Sequence, residues 1–115
     1  MWNLILLPAL LFGGSLYEFT KPYLSVYTCE CMTLGEQNLL DDFDKITIEL
    51  KEDGYFYRAV SQGEIFEREG TFVYDPEAKQ IIFDGTLYGT IDQGELSFGM
   101  QFGDRYFWAN FLRQG

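Results

Sequence analysis

From Tyr23 onward the chain is a succession of short runs in which apolar and polar side chains alternate, each run ending at turn-forming residues. Alternation with a period of two marks a strand that buries one face. The pattern predicts strands over 24–32, 46–51, 55–61, 65–74, 80–83, 86–91, 96–102 and 105–112. Between them stand Asp53-Gly54, Gln62-Gly63, Asp75-Pro76, Asp84-Gly85, Gln93-Gly94 and Gly103-Asp104. A Gly or Pro beside a short polar residue supplies the backbone geometry of tight hairpins. Eight such strands, recurring about every ten residues, imply an all-β antiparallel meander that closes as a small up-and-down barrel. No long amphipathic helix separates them, which excludes the crossovers of a parallel sheet. The polar link GEQNLLDDFD, 35–44, is expected to hold one helical turn around Leu39, Leu40 and Phe43.

Two hairpins decide which side chains point inward. With Gly103-Asp104 as a two-residue loop, Met100 faces Phe107, Phe98 faces Ala109 and Leu96 faces Phe111. These six form an apolar stripe on one side. The other side of the last strand carries Tyr106, Trp108 and Leu112. It is too apolar for open water, so a cover is expected there. The stretch ELKEDGYFYRAV, 49–60, allows two registers. A three-residue loop Glu52-Asp53-Gly54 turns Phe56, Arg58 and Val60 inward, whereas a two-residue Asp53-Gly54 loop turns Tyr55, Tyr57 and Ala59 inward. The first is preferred because it keeps Glu52 out of the core. It leaves Arg58 inside or at the rim, where a guanidinium demands an anion. Glu67 on the next strand is the favoured partner, ahead of a ligand.

The N-terminal stretch has a different character. Residues 4–12 are apolar apart from the interruption at Pro8, and Gly13-Gly14-Ser15 follows. Leu4, Leu7, Leu10 and Leu11 fall on one helical stripe, which suits a helix docked on the barrel near Tyr106 and Trp108. An apolar centre followed by small residues also suits a signal or anchor, although no Lys or Arg precedes it. The run is short of the roughly 20 residues of a membrane span. Both readings stay open, and the chain divides into an apolar segment, 1–22, and a barrel domain, 23–115. A signal or anchor implies an exported or membrane-associated protein; a docked helix fits the cytoplasm.

Charge and chemistry narrow the function. With 18 acidic and 8 basic residues the net charge is −10, which repels phosphate backbones, so no nucleic-acid partner is expected. Histidine is absent, which removes the usual nucleophile–base pairs and an imidazole for zinc or haem. The acidic residues are scattered over turns and outward strand positions, so no enzyme, catalytic residue, metal or cofactor is expected. Asp41-Asp42-Phe43-Asp44 lacks the Gly and spacing of a calcium loop and reads as a solvated turn. Cys29 and Cys31 lie two apart on one strand. Their α-carbons then sit about 6.5–7 Å apart, at the limit for a disulfide, and both are expected buried and unbonded on one face.

Several short stretches together resemble the small lipocalin-like domains of bacterial proteins, which share the calycin-type barrel. They are Tyr27-Thr28-Cys29-Glu30, Leu50-Lys51-Glu52-Asp53-Gly54-Tyr55-Phe56, Gly70-Thr71-Phe72-Val73-Tyr74-Asp75, Glu95-Leu96-Ser97-Phe98 and Phe111-Leu112-Arg113. Lipocalins carry Gly-x-Trp in the first strand and pack an Arg of the last strand on that Trp. Here Ser25-Val26-Tyr27 and Arg113 hold those places, which implies a Tyr27–Arg113 contact in weaker form. The resemblance implies a barrel that holds a small hydrophobic molecule. The candidate ligand-binding residues are Arg58, Phe56, Phe72, Tyr74, Phe98, Met100 and Phe107. The alternative is a barrel filled by its own phenylalanines, acting through protein or membrane contacts of the N-terminal segment and Tyr106/Trp108. Short strands leave little interior space in an eight-stranded barrel, so interior volume is the deciding quantity.

Overall fold

Alternation becomes burial most plainly in β3 (Lys45–Lys51) of the computed structural model, which describes residues 21–114. Ile46, Ile48 and Leu50 are buried there, and the residues between them are not. The other strands are β1 (Val26–Leu34), β2 (Gln37–Asn38), β4 (Gly54–Ser61), β5 (Glu64–Gly70), β6 (Phe72–Asp75), β7 (Gln80–Phe83), β8 (Leu87–Asp92), β9 (Glu95–Phe102) and β10 (Arg105–Arg113). A single 3-10 turn, Leu40–Asp42, occupies the polar link where a helical turn was expected.

All neighbouring strands pair antiparallel, in the order β5-β4-β3-β1-β10-β9-β8-β7-β6, with β2 paired only to β1. The run expected as one strand over 65–74 is divided at Thr71. Its first part, β5, pairs with β4, and its second part, β6, pairs with β7. The two edges of the sheet are thus consecutive in sequence. The sheet curls until its edges meet, giving a nearly closed barrel of nine strands. The expected N-terminal helix lies outside the described residues.

The last hairpin has the expected register, with Met100 opposite Phe107, Phe98 opposite Ala109 and Leu96 opposite Phe111. Leu96, Phe98, Ala109 and Phe111 join Tyr27, Ile46, Leu50 and Ile81 in the core, with Phe107 packed against it, whereas Met100, expected in the same dry stripe, is 42% exposed. Aromatic rings run through the interior: Tyr55 packs edge-on against Phe83 at 5.2 Å, Phe83 against Phe98 at 5.7 Å, and Phe98 stacks on Phe111 at 5.7 Å. Tyr106, Trp108 and Leu112 point outward and remain exposed.

The hairpin of 49–60 departs from the preferred register. The loop is Glu52-Asp53, Lys51 pairs with Gly54, and Leu50 lies opposite Tyr55. Tyr55, Tyr57 and Ala59 therefore face inward, while Phe56 and Arg58 lie on the outer wall. Gly54 is not a loop residue but the first of the strand, at φ 152°. A side chain there would run into the carbonyl of Gly70. The Arg58–Glu67 pair does form, Nε to Oε2 at 3.6 Å, but outside the barrel and half exposed. Such a pair contributes little to stability.

The two cysteines also separate. A β-bulge between Cys29 and Cys31 pairs Cys29 with Phe111 and Cys31 with Asn110, leaving Glu30 over. One extra residue reverses the alternation. Cys29 is buried, Cys31 is exposed, and both are free. The Cys29 thiol donates to the Cys31 carbonyl at 3.4 Å, and burial pushes its pKa up to about 11. Thiolate is the reactive form. In native protein a disulfide reagent should therefore titrate one fast thiol, Cys31, and one slow thiol that accelerates only on unfolding. Cys31→Ser should abolish the fast phase, and two slow phases in the unsubstituted protein would contradict the bulge.

Candidate functional site: a cavity at the barrel seam

The seam is held by side chains rather than by a ladder. Between the edges, Asp84 pairs with Thr71: its N–H donates to the Thr71 carbonyl at 2.8 Å, and its Oδ1 accepts from the Thr71 N–H at 3.1 Å. The second carboxylate oxygen reaches across to the β4–β5 side. It accepts a hydrogen bond from the Tyr55 hydroxyl at 2.6 Å and pairs with the Arg68 guanidinium at 3.5 Å. Arg68 Nε also donates to the Tyr55 hydroxyl at 3.2 Å. Asp84 can reach both sides because it sits at φ 51° at the end of β7, a left-handed conformation that Asp tolerates. Gly70 lies beneath, where a β-carbon would collide with the Asp84 carboxylate and the Tyr55 ring.

Electrostatics follow from these contacts. The Tyr55 hydrogen bond, then the Thr71 N–H, holds the Asp84 carboxyl below its ordinary value, so it is ionised at neutral pH. Burial, reinforced by the bond to Asp84, raises the Tyr55 phenol, which stays protonated as a donor. Arg68 is raised by its contact with Tyr55.

Beside this clasp the barrel wall forms a half-open cavity of about 340 Å³. Ile48, Tyr57, Phe83, Leu87, Phe98 and Met100 give it an apolar lining, and Tyr55, Arg68, Asp84 and Thr86 make its polar side. Burial raises the Tyr57 phenol, and among the described residues no hydrogen bond engages its hydroxyl. Phe66 and Phe102 face inward by register, opposite Ala59 and Arg105, yet are about half exposed, at 50% and 51%. Interior-facing rings in contact with water mark an open barrel end.

Of the residues expected at a binding site, Phe98 and Met100 line the cavity. Phe107 stands behind Phe98 with ring centroids 6.2 Å apart. Phe72 and Tyr74 face the interior elsewhere, against Phe83 and Ile81, and pack on Tyr23 at 6.4 and 4.6 Å. Arg58 and Phe56 are not brought to the interior; Phe56 lies under the Lys51 ammonium at 5.9 Å on the outer wall. The guanidinium at the cavity is instead that of Arg68, opposite Tyr57, and it lies at the solvent-exposed rim. Arg113 does stand opposite Tyr27 in the ladder, and its Nη1 donates to the Pro22 carbonyl at 3.3 Å near one barrel end. Comparison of the chain with protein-family models, with curated proteins and with solved structures yields no match.

Two substitutions test the clasp. Gly70→Ala forces a methyl into the carboxylate and ring and should destabilise the barrel by about 1–3 kcal/mol, read by denaturant unfolding. Because the folded-state pKa of Asp84 is lowered, its stabilisation is fully present above the ordinary value of 3.8 and is lost as pH falls from there through the folded value. Asp84→Asn should therefore melt below the unsubstituted protein at neutral pH, with the gap closing in strong acid. A gap independent of pH would contradict the assignment.

Proposed function

We propose that this barrel is a non-enzymatic binding module, lipocalin-like in kind, for one small and largely apolar molecule. The observation that carries this reading is the cavity of about 340 Å³ with its apolar lining and one polar side. That volume falls at the lower end of ligand pockets, about 300–1,000 Å³. It suits a compact ring system better than a long acyl chain. The Tyr57 hydroxyl, protonated and without a protein partner among the described residues, offers a hydrogen bond to an ether, carbonyl or hydroxyl oxygen of the guest. Arg68 is engaged by Asp84 and Tyr55, so the site favours a neutral guest over a free carboxylate.

Binding without turnover fits the ionisable groups. General acid–base work needs a pKa near the working pH. Asp84 is shifted down and Tyr55 up, both away from neutrality, and both serve the clasp. A second reading, a contact module acting through its outer wall, is favoured by the exposure of Tyr106 and Trp108.

N-phenyl-1-naphthylamine, a neutral two-ring fluorophore, should bind with a rise in emission, and a long-chain fluorescent fatty acid should bind more weakly. Leu87→Trp, which fills the cavity from β8, should abolish the rise while leaving the melting temperature unchanged or higher. No binding of the naphthylamine, or equal binding to the filled variant, would overturn the pocket reading.

A further inference from the structure

The outer surface of the barrel is divided into two unlike walls. Outward positions of β3, β4 and β5 are rich in charge of both signs, including Lys51 over Phe56 and the Arg58–Glu67 pair. Outward positions of β6 to β10 carry Asp75, Asp92 and Glu95 but no Lys or Arg. Across this second wall runs an apolar row perpendicular to the strands. Val73 on β6 pairs with Ile82 on β7, and Ile82 with Tyr88 on β8. The β8–β9 register, carried one residue past Gly89–Phe98, sets Tyr88 beside Gly99, which pairs with Trp108 on β10. Gly99 is bare because the Tyr106 ring lies over it, where a β-carbon would collide with the phenol. Val73 is 69% exposed, Tyr88 55%, Tyr106 49% and Trp108 40%. An aromatic row with few charges has the composition of an interface core rather than of a solvated surface.

We propose that residues 1–20 of this same chain occupy that row. First, Pro22 fixes one end of the path. Arg113, the last residue of β10, donates to the Pro22 carbonyl, so Pro22 lies beside the strand that carries Leu112, Trp108 and Tyr106. From Leu112 to Tyr106 is about 20 Å along β10 at ~3.3 Å per residue. Twenty residues cover about 30 Å even at the 1.5 Å rise of a helix, enough to reach the row and cross it. The second argument is chemical. Residues 1–17 contain no charged side chain and include Leu4, Leu7, Leu10 and Leu11 at helical spacing, matching a wall whose outward strand positions carry no base and whose Asp92 is paired with Lys79 of the β6–β7 turn. The third lies on the route. The Thr28 hydroxyl, on β1 opposite Leu112, is buried and without a hydrogen-bond partner among the described residues. A covering backbone could supply one.

The test uses the full chain with a nitroxide at Leu10→Cys in a Cys31→Ser background and reads paramagnetic broadening of backbone amides. Strong broadening is expected at Ile82, Tyr88, Gly99 and Trp108, with 45–61 on the charged wall unaffected. It should vanish in Tyr88→Lys, an exposed change that leaves the barrel spectrum in place; Val73→Lys is the second variant should that one fail to fold. Broadening must also be absent when spin-labelled protein is mixed with isotope-labelled protein that carries no nitroxide. Intermolecular broadening in that mixture assigns the row to a second copy and overturns the proposal. Broadening of the row only by nitroxide lipids in phosphatidylcholine vesicles assigns it to a membrane surface and overturns it equally. So does broadening on the charged wall, or none at all.

Discussion

One carboxylate closes this barrel. Asp84 continues the β6–β7 pairing through its backbone and side chain to Thr71, and with its other oxygen holds Tyr55 and Arg68 on the far edge. A sheet whose two edges are consecutive in sequence must bend sharply where they meet, and the bend leaves ladder hydrogen bonds unmade. The Asp84 carboxylate takes up one such donor, the exposed Thr71 N–H. The bend needs Gly70 because carboxylate and ring occupy the space of any β-carbon. The register of β4 follows as well, since only with Tyr55 inward does its hydroxyl reach Asp84.

Much of the fold was legible because hairpins act locally. Gly103-Asp104 fixed the last pair of strands, and the inward Leu96, Phe98, Phe107 and Phe111 followed from parity alone. Parity is also what failed elsewhere. At 49–60 the Asp-Gly pair has the composition of a turn, yet Gly54 is demanded by a close approach to Gly70, sixteen positions on. A contact between distant residues leaves no mark in the local pattern. The same holds at Cys29-Glu30-Cys31, where one bulged residue sends the second thiol outward.

The candidate site was half legible for a related reason. Phe98 and Met100 came from the apolar stripe of a well-defined hairpin. Arg68 and Asp84 did not, because each looked ordinary in its own run: one base in the charged run EIFEREG, one Asp before a Gly. Their meaning arises only when β5 and β7 are brought together at the seam. The arginine at the cavity rim is Arg68 rather than Arg58, and it is exposed rather than buried. Opposite Tyr57 stands Arg68, and its anion is Asp84.

Tyr55, Arg68 and Asp84 belong both to the clasp and to the cavity wall. Occupancy and closure therefore share atoms. A joint that loosens enlarges the room beside it. The barrel is like a hoop whose buckle also forms part of its inner wall.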